Sequence, residues 1–121
     1  MQEFVKVNAE LADRSAVYLA MWKALEEFDP KVDRWSEAVS CGSRKERAKA
    51  AEDAIPRFNQ RHPHAPHDDL DRDIPTYKTH VNSLAKGLAY TAQVAELASY
   101  VRSQGARLAD ESVSVGKKIG A

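Results

Sequence analysis

Large apolar residues recur every three or four positions over the first 28 residues, which is the spacing of one face of an α-helix. The stripe consists of Phe4, Val7, Leu11, Tyr18, Met21, Leu25 and Phe28. The middle of this segment, SAVYLAMW, is apolar on its other faces as well, and such a helix is buried from more than one side. The pattern therefore predicts a long first helix enclosed within a bundle. Arg14 interrupts the stripe, and we expect its head group to reach a carboxylate on Glu10, on Asp13 or on another helix.

Residues 30–60 predict shorter helices with less apolar surface. Asp29 and Pro30 are suited to end the first helix and begin a second, because aspartate caps helix N-termini and proline is tolerated at the first helical position. Ser43 and Glu46 have the spacing of a capping box, in which the two side chains bond to free backbone N–H groups. A third helix is therefore expected from Ser43, with alanines supplying most of its contacts. A single continuous helix over 30–60 is the alternative.

Helical spacing returns after residue 75 and continues to about residue 109. The apolar residues of this stretch are Tyr77, Val81, Leu84, Leu88, Val94, Leu97, Val101 and Leu108. Pro75 is placed to open one long C-terminal helix, in which Gly87 and Gly105 are weak points. The remaining residues, 111–121, mix serine, glycine and β-branched residues and predict a flexible polar tail.

These elements predict an all-α fold, a small antiparallel helical bundle of three to four helices with a long C-terminal helix. A chain of 121 residues forms one domain, which we assign to residues 1–110. The 18 basic and 18 acidic side chains cancel, so no global field indicates a nucleic-acid or membrane protein. One cysteine, no signal-peptide pattern and no apolar run long enough to span a bilayer predict a soluble, cytoplasmic protein.

Residues 61–75 form a polar segment that holds three of the four histidines, three prolines and the four carboxylates of Asp68, Asp69, Asp71 and Asp73. His62, His64 and His67, followed by Asp68, offer imidazole and carboxylate ligands suited to Zn²⁺. Such a site would make the chain a metal-dependent hydrolase or ribonuclease, which is the alternative function. The ligands lie in a proline-rich loop rather than on rigid elements, and only His80 could add a further histidine. We therefore favour a solvated connector and predict no metal or other cofactor.

Arg57 and His62 are separated by four residues, and this short stretch resembles the arginine and histidine pair of ribonucleases of the HEPN class. In those enzymes the pair lies within a helix and meets its symmetry mate across a dimer to cut RNA. Here Pro56 and Pro63 flank the pair. The resemblance implies ribonuclease activity as part of the alternative function, whereas the favoured function assigns no catalytic residue.

Four basic residues, Arg44, Lys45, Arg47 and Lys49, open the predicted third helix. Positions three and four apart share a helix face, so Arg44 lies beside Arg47 and Lys45 beside Lys49. Such a surface can neutralise a nucleic-acid backbone or contact an acidic protein. No aromatic residues alternate with these side chains, so recognition of bases is not expected.

Leu19, Trp22 and Trp35 are the apolar residues predicted to contact a partner, because aromatic side chains are enriched at interfaces as well as in cores. Together with the four basic residues they predict a non-catalytic interaction module. It would be a small subunit, or an accessory or inhibitor protein, of a larger protein or nucleoprotein assembly. The expected partner is another protein or a second copy of the chain, with a nucleic-acid backbone as a further contact. No membrane contact, small-molecule substrate or enzymatic activity is predicted.

Overall fold

The protein is described by a computed structural model over residues 2–63, 68–88 and 90–120. All regular secondary structure in these ranges is helical. The helices are α1 (Gln2–Leu25), α2 (Trp35–Ala38), α3 (Gly42–Arg61), α4 (Asp68–Ala85) and α5 (Thr91–Gly120). The predicted all-α class is confirmed, with four long helices and the single turn of α2. No helix within the described ranges is both long and apolar enough to cross a lipid bilayer.

The first and last helices, α1 and α5, form the most extensive contact in the bundle and run antiparallel. Asn8, near the start of α1, donates from Nδ2 to the carbonyl of Ser112 near the end of α5, at 2.6 Å. Two turns further along α1, Ser15 donates from its hydroxyl to the carbonyl of Gly105 at 2.7 Å. The predicted packing of the first helix against the C-terminal helix is therefore confirmed.

Helix α3 lies along another side of α1 and runs in the opposite direction. Its first turn contacts the residues that follow α1, since Arg44 donates to the carbonyl of Glu26 at 2.8 Å. Its last turn reaches the middle of α1, where Arg61 lies 3.2 Å from Asp13. The alanine-rich helix thus packs along the C-terminal half of α1.

Helix α4 runs parallel to α1 and completes the bundle. Arg14 of α1 donates to Asp69 at 2.6 Å, and one turn further along, Tyr18 donates to Asp73 at 2.5 Å. Successive long helices therefore alternate in direction, as in up-down-up-down four-helix bundles. The contact with Asp69 also confirms that Arg14 reaches a carboxylate on another helix.

The core is built from the apolar stripes of the long helices. Its largest fully buried side chains are Tyr18, Met21, Leu25, Leu70, Leu108, Val17 and Val101. Helix α1 supplies four of these seven, and α5 and α3 enclose it from two sides. Much of the apolar middle of the first helix is therefore buried within one chain, as expected, whereas Ala16 is exposed and Leu19 and Trp22 are partly buried.

The single C-terminal helix predicted over 75–109 is wrong, because the chain turns back between α4 and α5. Gly87 has a φ of 72°, in the left-handed region that glycine enters without strain. Its N–H bonds to the carbonyl of Leu84 at 3.1 Å, and the N–H of Leu88 bonds to the carbonyl of Ser83 at 2.8 Å. These two bonds form the Schellman motif, which ends helices at a glycine. Gly87 is therefore a helix stop rather than a weak point inside a helix.

Two helices also begin at other residues than predicted. Helix α4 begins at Asp68, so Pro75 lies within the helix rather than at its first position. Helix α3 begins at Gly42 after Cys41, which places Ser43 inside the first turn and removes the predicted capping box. A cap contributes only about 1 kcal/mol, and helix stability in proteins comes mainly from the packing of a whole face.

Residues 29–34 form turns rather than the start of a helix. Oδ1 of Asp29 accepts the N–H of Lys31 at 2.9 Å, a local contact that stabilises a turn. The helix expected from Pro30 is reduced to the single turn of α2, which begins at Trp35.

Helix α5 continues to Gly120, in contrast to the flexible tail predicted for 111–121. Ser112 is buried, and Asn8 of α1 donates to both its carbonyl and its hydroxyl. The first turns of α1 therefore supply a packing partner for this stretch that composition alone does not reveal. Residue 121 lies outside the described range.

Candidate functional site

The two arginines of the predicted basic surface attach the start of α3 to the end of α1. Arg44 donates to the carbonyl of Glu26, and its guanidinium carbon lies 5.7 Å from the centre of the Phe28 ring. Arg47 Nη1 lies 3.7 Å from the Glu26 carboxylate. Both arginines are partly buried. These contacts hold helices together, so Arg44 and Arg47 do not form a freely accessible cationic surface.

The two lysines of the same segment have a different position. Lys45 and Lys49 are exposed, and their spacing of four residues places them on one face of α3. The predicted basic surface therefore divides into a pair of arginines that stabilises the fold and a pair of lysines that remains accessible to a partner.

Replacing Arg44 and Arg47 together by alanine should lower the melting temperature, because the hydrogen bond to Glu26 and the cation–π contact are lost. We expect the free energy of unfolding to fall by about 1–2 kcal/mol. Replacing Lys45 and Lys49 together should leave the melting temperature nearly unchanged, since exposed charges contribute little to stability. Thermal denaturation followed by circular dichroism measures both variants. Equal losses in the two variants would contradict this division of the basic surface.

The three apolar residues predicted to contact a partner occupy different environments. Trp35 is 5% exposed and packs edge-on against Phe28, with the ring centres 5.1 Å apart. Leu19 packs against α5 and is partly buried. Trp22 is also partly buried, and the guanidinium of Arg102 lies 5.0 Å from its ring centre. Trp35 thus belongs to the core rather than to a contact surface, because α2 and the loop before it fold the indole inward.

His62 is the histidine of the predicted metal-binding loop whose contacts the structure describes. Its Nε2 lies 2.7 Å from Oδ2 of Asp13 on α1, and its ring packs against Phe58 with the centres 5.0 Å apart. Arg61 lies 3.2 Å from the other oxygen of the same carboxylate. His62 therefore helps to attach the end of α3 to α1 and is not simply part of a solvated connector.

His64 and His67 lie outside the described residues, as does the side chain of Asp68. Within the part of the chain that the structure describes, no group of three or more His, Cys, Asp or Glu side chains could hold a metal ion. Arg57, which forms the pair resembling that of the HEPN ribonucleases with His62, is exposed near the end of α3. Metal binding and RNA cleavage by this loop stay predictions.

Asp73 is a buried carboxylate that the sequence analysis did not single out, and it connects three helices. It is 5% exposed and accepts hydrogen bonds from Tyr18 of α1 at 2.5 Å and from Tyr100 of α5 at 2.8 Å. Arg72 donates from Nε to the other carboxylate oxygen at 3.0 Å and from Nη2 to the Tyr100 hydroxyl at 2.9 Å. One side chain of α4 is thus bonded to both α1 and α5.

We call Asp73, Arg72, Tyr18 and Tyr100 the Asp73 cluster, and the protonation states of its side chains follow from these contacts. Burial acts to raise the pKa of Asp73, but hydrogen bonds from Arg72, Tyr18 and Tyr100 outweigh burial and hold that pKa below its ordinary value. Burial raises the pKa of Tyr18, and the hydrogen bond to Asp73 raises it further. Asp73 is therefore ionised and Tyr18 neutral near pH 7, which is the state that these hydrogen bonds require.

Asp69 has a similar role one turn earlier in α4. It accepts a hydrogen bond from Arg14 of α1 at 2.6 Å and lies 3.4 Å from Arg107 of α5. The sequence grouped Asp69 and Asp73 with the histidine loop, yet both connect helices. Their spacing of four residues around the buried Leu70 is the signal that could have identified a polar contact within the bundle.

Three large exposed apolar side chains lie in the loops that follow α1 and α4. Val32, Leu88 and Tyr90 are 80%, 66% and 72% exposed and lie in the two loops at this end of the bundle. We call these three residues the loop-end patch. Tyr90 also borders a shallow cleft that includes Pro30 of the neighbouring loop, so the two loops adjoin.

A second group of exposed apolar side chains lies at the opposite end of the bundle. It consists of Val5 and Val7 on α1 and Val113 on α5. All three are less exposed than the residues of the loop-end patch, and none is as large as Leu88 or Tyr90. The loop-end patch is therefore the stronger candidate for a contact surface.

No protein-family model matches this chain, and neither a curated protein nor a solved structure matches it at a significant level.

Proposed function

We propose that the chain is a non-catalytic interaction module that binds another protein through the loop-end patch. The observation that supports this proposal is the exposure of Val32, Leu88 and Tyr90 in two adjoining loops. Burying exposed apolar side chains releases their hydration water, so surfaces that carry several of them mark contact sites. In this role the protein is a small subunit, or an accessory or inhibitor protein, of a larger assembly.

Hydrogen bonds hold the two loops of the patch in place. Thr91 donates from its hydroxyl to Oδ1 of Asp29 at 3.2 Å and thereby joins the loops. Asp33 accepts the N–H of Asp29 at 3.2 Å, and the Schellman motif at Gly87 defines the turn after α4. A surface that is already ordered loses less conformational freedom on binding, which favours affinity.

Charge beside the patch indicates the chemistry of the partner. In the two loops Lys31, Arg34 and Lys86 are exposed, against the one exposed carboxylate of Glu27. The carboxylates of Asp29 and Asp33 are partly buried and hydrogen-bonded. We therefore expect the partner surface to be apolar at its centre with carboxylates at its rim. A nucleic-acid backbone held in the same assembly is the further contact that these cations would suit.

In the described part of the chain several acidic side chains stabilise the fold, which agrees with a non-catalytic role. Asp13, Asp69 and Asp73 each bond to side chains of other helices, which makes them part of the scaffold. Cys41, the single cysteine, is exposed as a free thiol. This suits a reducing compartment, and we propose the cytosol.

Site-specific photocrosslinking tests the proposed surface. A benzophenone amino acid at position 90 should yield one discrete protein adduct in cells of the source organism. The same group at Ser103, which is exposed in the middle of α5, should yield none. Changing Val32 and Leu88 to aspartate should abolish the adduct at position 90, because charge opposes burial of the patch.

The mass of the adduct separates another protein from a second copy of the chain, and light scattering of the purified protein checks self-association independently. Equal adducts at positions 90 and 103, or no discrete adduct at position 90, would contradict the proposed surface. An adduct that persists after the aspartate substitutions would do so as well.

A further inference from the structure

A groove between α3 and α4 has the size and the lining of a small-molecule site. Its volume is about 390 Å³, and Trp35, Val39, Ile55 and Val81 form apolar walls. Ligand pockets in proteins span about 300–1,000 Å³ and combine apolar walls with a few polar groups. The groove shares no residue with the loop-end patch, so ligand binding there is independent of the function proposed above.

Tyr77 supplies a polar group in this groove that has no hydrogen-bond partner within the described part of the chain. The residue is 5% exposed and lines the groove, and only burial and the charge of Glu52 act on its hydroxyl. The hydroxyl groups of Tyr18 and Tyr100, in contrast, are both hydrogen-bonded to Asp73. Unlike the fully buried unpaired nitrogens of Arg14, Arg44 and Arg47, the Tyr77 hydroxyl keeps some contact with solvent, so a ligand in the groove can reach it and bond to it.

One acidic and one basic side chain line the groove, Glu52 of α3 and Lys78 of α4, and both are exposed. Of the two, Glu52 is the charge that acts on the Tyr77 hydroxyl. Burial raises the pKa of Tyr77, and the negative charge of Glu52 raises it further. The hydroxyl is thus neutral and can accept a hydrogen bond, while the adjacent carboxylate attracts positive charge.

We propose that this groove binds a small, mainly apolar amine. Its ammonium group donates hydrogen bonds to the carboxylate of Glu52 and to the hydroxyl oxygen of Tyr77. Its apolar part packs against Trp35, Ile55 and Val81. An anion placed beside the Tyr77 hydroxyl would face Glu52, and a neutral ligand lacks the charge-assisted hydrogen bond.

Titration of the full chain with 2-phenylethylamine tests the site. Isothermal titration calorimetry should show saturable binding at one site, and the indole N–H signal of Trp35 should shift in nuclear magnetic resonance spectra. The matched compounds 2-phenylethanol and 3-phenylpropionate have similar apolar parts. Both should bind at least about tenfold more weakly than the amine, because they lack the ion pair with Glu52.

Variants separate the two polar contacts. Glu52→Gln keeps the shape of the side chain and should weaken amine binding by about tenfold. Tyr77→Phe keeps the ring in the core and should weaken it by about threefold or more through loss of the hydroxyl. Glu46→Gln serves as the control, because Glu46 is exposed on the same helix but is not among the groove residues. This control should leave binding unchanged.

The proposal is overturned if the amine shows no saturable binding. It is also overturned if the alcohol and the carboxylate bind as tightly as the amine, since the groove would then recognise only the apolar part. Unchanged affinity in Glu52→Gln would likewise exclude the proposed ion pair. Circular dichroism spectra of each variant verify that the fold is retained.

Discussion

Replacing Asp73 by alanine is expected to lower the free energy of unfolding by about 3 kcal/mol. The change removes a charged acceptor that bonds to Tyr18 of α1 and to Tyr100 of α5. It also leaves the fully buried hydroxyl of Tyr18 without a partner. Chemical denaturation followed by circular dichroism measures the loss.

Two further variants test the reason for this loss. Asp53→Ala should have little effect, because Asp53 is exposed on α3. Adding Tyr18→Phe to the Asp73→Ala chain should recover part of the lost stability, since removing both partners of a hydrogen bond leaves no buried polar group unpaired. A small effect of Asp73→Ala, or a further loss in the double variant, would contradict the assigned role of the cluster.

The same cluster predicts how stability depends on pH. In the folded chain burial acts to raise the pKa of Asp73, but hydrogen bonds from Arg72 and both tyrosines hold it below its ordinary value. The folded carboxyl therefore binds a proton less readily than the unfolded one, whose pKa is about 3.9. Its contribution to stability is complete above that pKa and is lost as the pH falls through the folded pKa. The stability difference between the wild-type chain and Asp73→Asn should therefore be constant near neutral pH and shrink below about pH 4.

Replacing Gly105 by valine is expected to lower the free energy of unfolding by about 2–3 kcal/mol, because α1 and α5 pack closely at this residue. A Cβ atom at position 105 would lie 2.7 Å from Cδ2 and 2.8 Å from Cγ of Leu19. The carbonyl of Gly105 also accepts the hydroxyl of Ser15, so a shift of α5 would strain that bond. Even Gly105→Ala should destabilise the chain, although alanine favours a helix by about 1 kcal/mol over glycine.

Another glycine of α5 provides the control. A Cβ atom at Gly116 would lie 3.5 Å from Nδ2 of Asn8, which is an ordinary contact. Gly116→Ala should therefore stabilise the chain by up to about 1 kcal/mol. Truncation of Leu19 to alanine should reduce the cost of Gly105→Ala, and a double-mutant cycle measures this coupling. Additive effects of the two changes would exclude the proposed close contact.

The helical class and the burial of α1 were predictable, because the period of apolar residues is a local property of the chain. In the predicted stripe, the residues from Leu11 to Phe28 are buried as expected, whereas Val7 is 42% exposed. Arg14 reaches a carboxylate as expected. The helix boundaries were less predictable. Gly87 is compatible with a helix interior and with a helix stop, and local preferences of about 1 kcal/mol do not distinguish the two.

The candidate sites depended on contacts that no local pattern contains. Arg44 and Lys45 are adjacent and chemically similar, yet the arginine bonds to the end of α1 while the lysine remains exposed. The pattern allowed Trp35 to be either a surface residue or a core residue. The packing of its indole against Phe28 shows that it belongs to the core. The exposure of Tyr90 likewise follows from the turn between α4 and α5, which the pattern predicted as continuous helix.

The sequence by itself therefore determined the helical class, the central position of α1 and its packing against a C-terminal helix. The tertiary structure alone decided where the chain reverses after α4 and which polar side chains meet inside the bundle. The physical reason is the range of the interactions. Helical periodicity arises between residues three or four apart, whereas Tyr18, Asp73 and Tyr100 meet only after three separate helices have packed.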